Sequence, residues 1–207
     1  MESMPFHHTS AFVLTREPSG ESMLHLRLFS AGIGLIHAWL RVSRKRTPAT
    51  PAPDLFDRLD VVLETKNEGR TWFVKEHVVT RRYTGIGRNY ASLRYASRFA
   101  ALILKNPLHH DAWLPLFESL DHALEAWEHD RHPEIVYFKT LYLYAKGEGF
   151  PVREDWWARL PRARQSETEL RLHRPLAEQS APDATGNTKK LIESLESWLQ
   201  YDHEIRF

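Results

Sequence analysis

The sequence predicts an α+β protein in which a small closed barrel of five strands is followed by an α-helical domain. Up to about residue 84, apolar residues alternate with polar ones, which is the period of half-buried strands. From Arg88 onward the apolar residues recur every three or four positions, which is the period of helices. One long basic connection, between the third and fourth predicted strands, favours a closed barrel over an open sheet.

The five strands are predicted from short β-branched or alternating segments. "AFVLT" is the first strand and "EPSGES" the turn after it, "MLHLRLF" and "LIHAWLRV" form a hairpin, and "LDVVLET" and "RTWFVKEHVVT" complete the set. In the hairpin, we expect the apolar side chains to point inward, namely Leu24, Leu26, Leu28, Ile36, Ala38, Leu40 and Val42. The side chains expected to share the outer side are His25, Arg27, His37, Trp39 and Arg41.

The helical part is predicted from its apolar stripes and its end signals. A first helix starts at Arg88 and stops at Asn106 and Pro107, Asp111 caps a second, and Pro133 opens a third that ends near Gly147. The stripe of the second helix is Leu114, Phe117, Leu120, Leu124 and Trp127. "EDWWARL" is a short fourth piece, residues 162 to 187 are predicted as loop, and a last helix covers 188 to 200. The predicted domains are therefore 1–84 and 85–207.

Composition narrows the class of protein. The hydrophobic fraction of 42% and charged fraction of 27% are ordinary for a folded globular chain. The absence of cysteine excludes disulfides, thiol catalysis and cysteine-based zinc sites. No apolar run is long enough for a membrane span, and the first residues do not look like a signal peptide, so we expect a cytoplasmic protein.

The near-neutral net charge of +1 hides two zones of opposite sign. Between Glu76 and Asp111 there is no acidic residue, and the cations in that interval are Arg81, Arg82, Arg88, Arg94, Arg98 and Lys105. From Asp111 to Gly149 acidic residues predominate. A further basic run, "RVSRKR", follows the third strand.

No enzymatic motif accompanies the histidines. The chain lacks His-Glu-x-x-His, the pairs His7-His8 and His109-His110 cannot share a helical face, and neither "GIG" triplet continues into a nucleotide-binding loop. We therefore expect no catalytic residue, no metal site and no cofactor. A hydrolase acting through histidines stays as an alternative that turnover would reveal.

Several segments, in order, resemble the RecO family of bacterial DNA repair and recombination mediators. They are "AFVLTREPSGESMLHLRLFSAGIG", "RVSRK", "LFDRLDVVL", "YASRFAALIL" and "FKTLYLYAKGEG", and the likeness runs from residue 6 to about 150. The resemblance implies an N-terminal five-stranded OB-fold barrel that binds DNA, followed by an α-helical domain. Many members carry a four-cysteine zinc site, so this cysteine-free chain would be a zinc-less variant.

The resemblance also implies the function and the partners. A RecO-type protein binds single-stranded and double-stranded DNA, promotes strand annealing and assists RecA loading together with RecR. It also binds the acidic C-terminal tail of single-stranded-DNA-binding protein, and it would be nucleoid-associated in the cytoplasm. The alternative is a protein-interaction module with little affinity for DNA.

Cations and aromatic residues are the candidate DNA contacts, because binding of a phosphate backbone needs several cations on one surface. The predicted set is Arg27, His37, Trp39, Arg41, Arg44, Lys45, Arg46, Arg81, Arg82, Arg88, Arg94 and Arg98. Three alternatives stay open. In the first, the basic run is only a solvated loop. In the second, Trp39 packs under the helical domain instead of stacking on a base. In the third, Arg94 and Arg98 pair with the acidic second helix.

Overall fold

The structure is a computed structural model that describes residues 6–42, 51–65, 69–129, 132–179 and 186–207. Its contacts divide the chain into two compact units, Met1–Tyr83 and Thr84–Phe207. The first unit is a closed five-stranded barrel and the second is helical, so the predicted α+β fold with an OB-like barrel is confirmed. No helix within the described residues is long and apolar enough to cross a membrane.

The barrel strands are β1 (Phe6–Ser19), β2 (Met23–Ser30), β3 (Gly34–Arg41), β4 (Arg58–Thr65) and β5 (Trp72–Arg81). Their order around the barrel is β1-β2-β3-β5-β4, and β4 pairs with β1 to close it. Every pairing is antiparallel except that of β3 with β5. The long connection from β3 to β4 is needed because β5 lies between them.

The first strand is much longer than the predicted "AFVLT". Residues 6–12 of β1 pair with β4 and residues 11–19 pair with β2, with an irregularity between Val13 and Thr15. The prediction of a turn over "EPSGES" is therefore wrong for its first residues, since Glu17, Pro18 and Ser19 still belong to the strand. Pro18 is tolerated because it lies near the strand end, where a missing N–H costs little.

Inward-facing side chains fill the barrel, as the alternation predicted. The buried cluster is Ala11, Val13, Leu24, Leu26, Leu28, Ile36, Ala38, Leu40, Leu59, Val61, Leu63, Trp72 and Val74, and Val42 packs against it. Because side chains alternate along a strand, burial of this set fixes which residues point outward.

The helices of the second unit are α1 (Tyr90–Lys105), α2 (Trp113–His129), α3 (Pro133–Gly147), α4 (Arg162–His173) and α5 (Asn187–His203). Asn89 caps α1 by accepting hydrogen bonds from the N–H groups of Ala91 and Ser92. Pro133 occupies the first position of α3, as predicted, and a π-helical turn, Val152–Trp157, overlaps the first part of the predicted short fourth piece at 154–160.

Helix α3 is the centre of the helical unit. It is buried on nearly all sides, including Tyr137, Phe138 and Leu141, and it contacts α1, α2 and α5. In α2, the predicted stripe is buried except Leu114, which is 55% exposed. The prediction for Leu114 is wrong, and in this first turn of the helix Leu116 is the leucine that is buried.

The predicted loop at 162–187 is wrong for its first half, which forms helix α4. Only Thr168 of this helix is buried, so the sequence carries no apolar stripe. Polar contacts hold it instead. Arg171 pairs with Glu167 one turn earlier at 2.7 Å and donates to Gln179 at 3.0 Å.

A buried ion pair fastens the segment before β4 to the barrel. The Asp57 carboxylate is fully buried and accepts hydrogen bonds from Arg82 Nε at 3.0 Å and Nη2 at 2.7 Å, and from the Asp54 N–H at 2.8 Å. The Asp57 backbone oxygen accepts from the Val13 N–H at 3.0 Å, next to the irregularity of β1. This contact therefore ties the ends of β4 and β5 to the middle of β1.

We expect Arg82→Ala to lower the free energy of unfolding by about 3 kcal/mol, because it leaves the Asp57 charge buried without its cation. That is the lower end of the usual range, since the guanidinium is partly exposed. The matched control is Arg16→Ala, which removes an exposed ion pair with Asp54 and should cost about 0–1 kcal/mol. Urea denaturation of both variants measures the difference, and equal losses would contradict the role given to Asp57.

Candidate nucleic-acid interface

The outer side of β2 and β3 carries a cluster that we call the aromatic–basic face, formed by His25, Arg27, His37, Trp39 and Arg41. Alternation places all five outside the barrel, because their neighbours along each strand are buried in its core. The register then sets Trp39 opposite His25 and His37 opposite Arg27. The predicted outward set is thus brought together on two adjacent strands.

The rings of this face form a continuous series. The centroids of His25 and Trp39 are 4.8 Å apart with planes tilted by 37°, and those of His25 and His37 are 5.8 Å apart and nearly parallel. His37 is exposed and the other two rings are half-buried, so part of each ring is accessible. Such a series can accept flat partners by stacking, since every nucleobase has a π-face.

The electrostatics of the face are predominantly positive. The pKa of His37 lies below its ordinary value of 6.5, because of burial first and then repulsion from Arg27 and His25. Arg41 is exposed at the end of β3. The nearest acid by register is Glu17 of β1, opposite His25. An approaching anion would offset the repulsion from Arg27 and His25, which is the smaller part of what lowers the pKa of His37.

Two ring-bearing residues, one within this face and one beside it, were not singled out as DNA contacts from the sequence. His25 lies between His37 and Trp39, and the β2–β3 hairpin register was the signal that would have included it. Phe73, which is half-buried, lies opposite Trp39 through the parallel pairing of β3 with β5. That pairing joins strands distant in sequence, so alternation gives no signal for it.

The remaining predicted cations have different environments. Arg82 is held by buried Asp57, and Arg81 lies 4.8 Å over the Tyr83 ring. Arg88 is exposed in the short turn before α1. Arg44, Lys45 and Arg46 lie outside the described residues, so the predicted basic loop has no structural account here.

Arg98 pairs with two buried groups, the Glu196 carboxylate and the Tyr137 hydroxyl, in a triad that joins three helices. Its Nη2 lies 2.6 Å from Glu196 Oε2, and the Tyr137 hydroxyl donates to Glu196 Oε1 at 2.7 Å. The carboxylate comes from α5, so the partner of Arg98 is not on the acidic second helix as the alternative supposed. Burial raises the pKa of Glu196, opposed by the hydrogen bond from Tyr137 and the charge of Arg98. This arrangement stabilises the helical unit and leaves Arg98 less available to a ligand.

Arg94, one turn earlier, is in a different situation. It is exposed, its guanidinium lies 4.8 Å over the Tyr95 ring, and no carboxylate within the described residues forms an ion pair with it. It lines a cavity of about 260 Å³ together with Tyr90, Glu134 and Lys189. Tyr90 is 79% exposed, and neither it nor Lys189 was predicted as a contact. Two cations against the one carboxylate of Glu134, together with an accessible aromatic ring, make this cavity a second candidate for binding an anionic ligand.

No three histidine or acidic side chains in the described part of the chain are close enough to hold a metal ion. Comparison of the chain with protein-family models and with curated proteins gives no match.

We expect Arg98→Ala to lower the free energy of unfolding by about 3 kcal/mol at neutral pH, because Glu196 would stay buried without its cation. The deficit should shrink as the pH falls toward the raised pKa of Glu196, since a protonated carboxyl needs no cation. Arg94→Ala is the control and should cost under about 0.5 kcal/mol, as an exposed substitution. Denaturation at several pH values tests both, and a deficit that grew on acidification would refute the triad's role.

Proposed function

We propose that this chain is a non-catalytic protein that binds single-stranded DNA on the aromatic–basic face of its barrel. The observation that carries the proposal is the clustering of Trp39, His25 and His37 in one ring series beside Arg27 and Arg41. OB-type barrels commonly use the face of their second and third strands for oligonucleotides. The aromatic–basic face occupies those two strands.

The two kinds of side chain would serve different parts of the ligand. Bases stack on the accessible rings, with an energy of about 1–3 kcal/mol per base that is tolerant of sequence. Phosphates are attracted by the cations, which release condensed counterions and make the affinity depend steeply on salt. The face contains no arrangement that would read a particular base, so we expect little sequence preference.

The cavity beside Arg94 supports a second contact on the helical unit. Tyr90 offers an exposed ring, and Arg94 and Lys189 offer positive charge at the same opening. A protein that promotes annealing needs to hold more than one strand, and two separate cationic aromatic sites are suited to that. Double-stranded DNA would be bound mainly through its phosphates.

The wider role follows from the resemblance to the RecO family. We propose that the chain promotes strand annealing and, with RecR, assists RecA loading during DNA repair and recombination in the bacterial cytoplasm. The succession of an OB-like barrel and a helical unit agrees with that assignment. In this role the chain would also bind the acidic tail of single-stranded-DNA-binding protein and associate with the nucleoid. The rival, a protein-interaction module, would bind its partners without a steep dependence on salt.

We expect Trp39→Ala to weaken binding of a fluorescent single-stranded oligonucleotide by about 5-fold to 100-fold, because one stacked base loses its platform. Trp113→Ala is the matched control, since Trp113 contacts the His110 ring at the start of α2, far along the chain in the acidic zone. Anisotropy titrations give both affinities. Equal effects of the two substitutions would refute the assignment of the face.

The salt dependence offers an independent test of the cations. We expect the affinity to fall linearly with salt on a logarithmic plot, and Arg41→Ala to reduce the slope by about 1. Arg16→Ala, an exposed arginine already paired with Asp54, should leave the slope unchanged. An affinity that does not change with salt concentration would favour the protein-interaction module.

The affinity should also rise as the pH falls through the region near and below 6.5. In the free barrel the pKa of His37 is lowered, and a bound phosphate would raise it, so the complex takes up protons in that interval. His37→Gln should flatten this pH dependence, whereas His8→Gln, an exposed histidine of β1, should not. Titrations at pH 5.5 and pH 7.5 decide it, and a pH dependence that survives in His37→Gln would contradict the mechanism.

A further inference from the structure

The cavity beside Arg94 is lined by the beginnings of three helices, and we call it the helix-end cavity. The residues that matter for its charge and shape are Tyr90 and Arg94 of α1, Glu134 of α3, and Gly186 and Lys189 at the start of α5. A helix start carries a partial positive charge, because its first N–H groups have no partner within the helix. Three helix starts at one cavity favour an anion even before the side chains are counted.

The start of α5 is the one whose charge its own chain offsets least. Its N-cap residue is Gly186, which has no side chain to accept a hydrogen bond, and its first turn contains no acidic residue. The start of α1 is capped by the side chain of Asn89, and the first turn of α3 contains Glu134. The partial charge of α5 therefore adds to that of the cations around the cavity.

Two side chains bring full positive charges to the helix-end cavity. Arg94 lies with its guanidinium 4.8 Å over the ring of Tyr95, which is buried and stacked on Tyr137 with ring centroids 5.0 Å apart. Lys189 comes from α5, and no carboxylate within the described residues forms an ion pair with it. Both cations are exposed, so a ligand in the cavity can reach them without a rearrangement of the fold.

The charge of the cavity suits a phosphate monoester better than a phosphodiester. Arg94 and Lys189 contribute two positive charges and Glu134 removes one. Each helix start adds roughly half a charge, so the cavity presents about two positive charges once the capped start of α1 is discounted. A terminal phosphate carries about 1.5 to 2 negative charges at pH 7, whereas a phosphate within a DNA strand carries about one.

An exposed aromatic ring lines the same cavity. Tyr90 is the first residue of α1 and is 79% exposed, so its ring contributes little to the core. A nucleobase can stack on such a ring, because every base has a π-face. The volume of about 260 Å³ is just below the range of roughly 300 to 1,000 Å³ that is common for small-molecule sites. The cavity is therefore of a size for one nucleotide and not for a run of them.

We propose that the helix-end cavity binds the terminal phosphate of a single DNA strand, with the base of that last nucleotide stacked on Tyr90. This inference rests on the DNA binding proposed above and adds what the second site recognises, namely the end of a strand. The cations of the barrel face meet phosphates at any position along a strand. An acidic peptide fits less well, since each of its carboxylates carries a single charge and they are spread along the chain.

The test compares short oligothymidines that differ only in whether one end carries a phosphate or a hydroxyl, titrated into the full chain by fluorescence anisotropy. We expect the phosphorylated strand to bind about tenfold more tightly, the size of one charge-assisted contact. Strands phosphorylated at the 5′ end and at the 3′ end are both used, and an advantage at either end supports the proposal. The advantage should shrink as the pH falls below about 6, where the monoester takes up a proton.

Substitutions assign this advantage to the cavity. Arg94→Ala and Lys189→Ala should each reduce it to about twofold or less, because one of the two cations is lost. Lys190→Ala is the matched control, since Lys190 is an exposed lysine at the next position of α5 and does not line the cavity, and it should keep the advantage. Tyr90→Ala should weaken binding of the phosphorylated strand by about fivefold, and Tyr90→Phe should restore it.

The outcomes separate this inference from the proposed function. Equal affinities of the phosphorylated and hydroxyl strands would overturn the inference alone, as would an advantage that Arg94→Ala and Lys189→Ala leave unchanged. If no strand binds, the proposed function fails as well. Oligoglutamate that binds more tightly than the phosphorylated strand, and loses its affinity in Lys189→Ala, would assign the cavity to an acidic protein segment instead. If Arg94→Ala does not fold, as judged by its melting curve, Lys189→Ala still decides.

Discussion

Closure of the barrel by β1 is the constraint on which the candidate site depends. One strand of fourteen residues pairs with β4 over its first half and with β2 over its second. Once that ladder is closed, each strand has one side facing the core, and a shift of one residue would exchange the two sides. The outward position of Trp39, His25 and Arg27 is therefore set by the burial of Leu24, Leu40 and their neighbours, which contribute the free energy that holds the register.

Buried carboxylates decide which cations stabilise the fold and which are left for ligands. Asp57 engages Arg82, and Glu196 engages Arg98, and in both cases the carboxylate is almost fully buried while the guanidinium is partly exposed. A buried charge without a partner destabilises the fold, so each of these arginines is held in its ion pair whether or not a ligand is bound. Arg94, Arg41 and Arg88 are exposed, and none of them has a partner of that kind within the described residues.

The sequence predicts the features that depend on the local period of apolar residues. It does not predict the features that depend on polar contacts or on pairing between residues distant in the chain. Alternation identified the inner and outer sides of β2 and β3, because burial acts on every second residue of a strand. It could not reveal that β1 continues through Pro18, since those residues are held by hydrogen bonds to β2 and not by an apolar pattern. Helix α4 was missed for a related reason, because polar contacts such as Glu167 with Arg171 hold it. The partner of Arg98 lies 98 residues away on α5, and nothing in its local sequence indicates that.

The near-neutral total charge is informative only when it is resolved along the chain, because it hides a segment without acids and a segment in which acids predominate. The cations of the proposed DNA-binding face, Arg27 and Arg41, lie outside both segments, and the pairing of β2 with β3 brings them onto one face. Within the segment without acids, Arg98 is paired with a carboxylate from α5 and Arg94 has no such partner among the described residues, so the charge pattern locates candidate cations and the tertiary contacts decide which of them a ligand can reach.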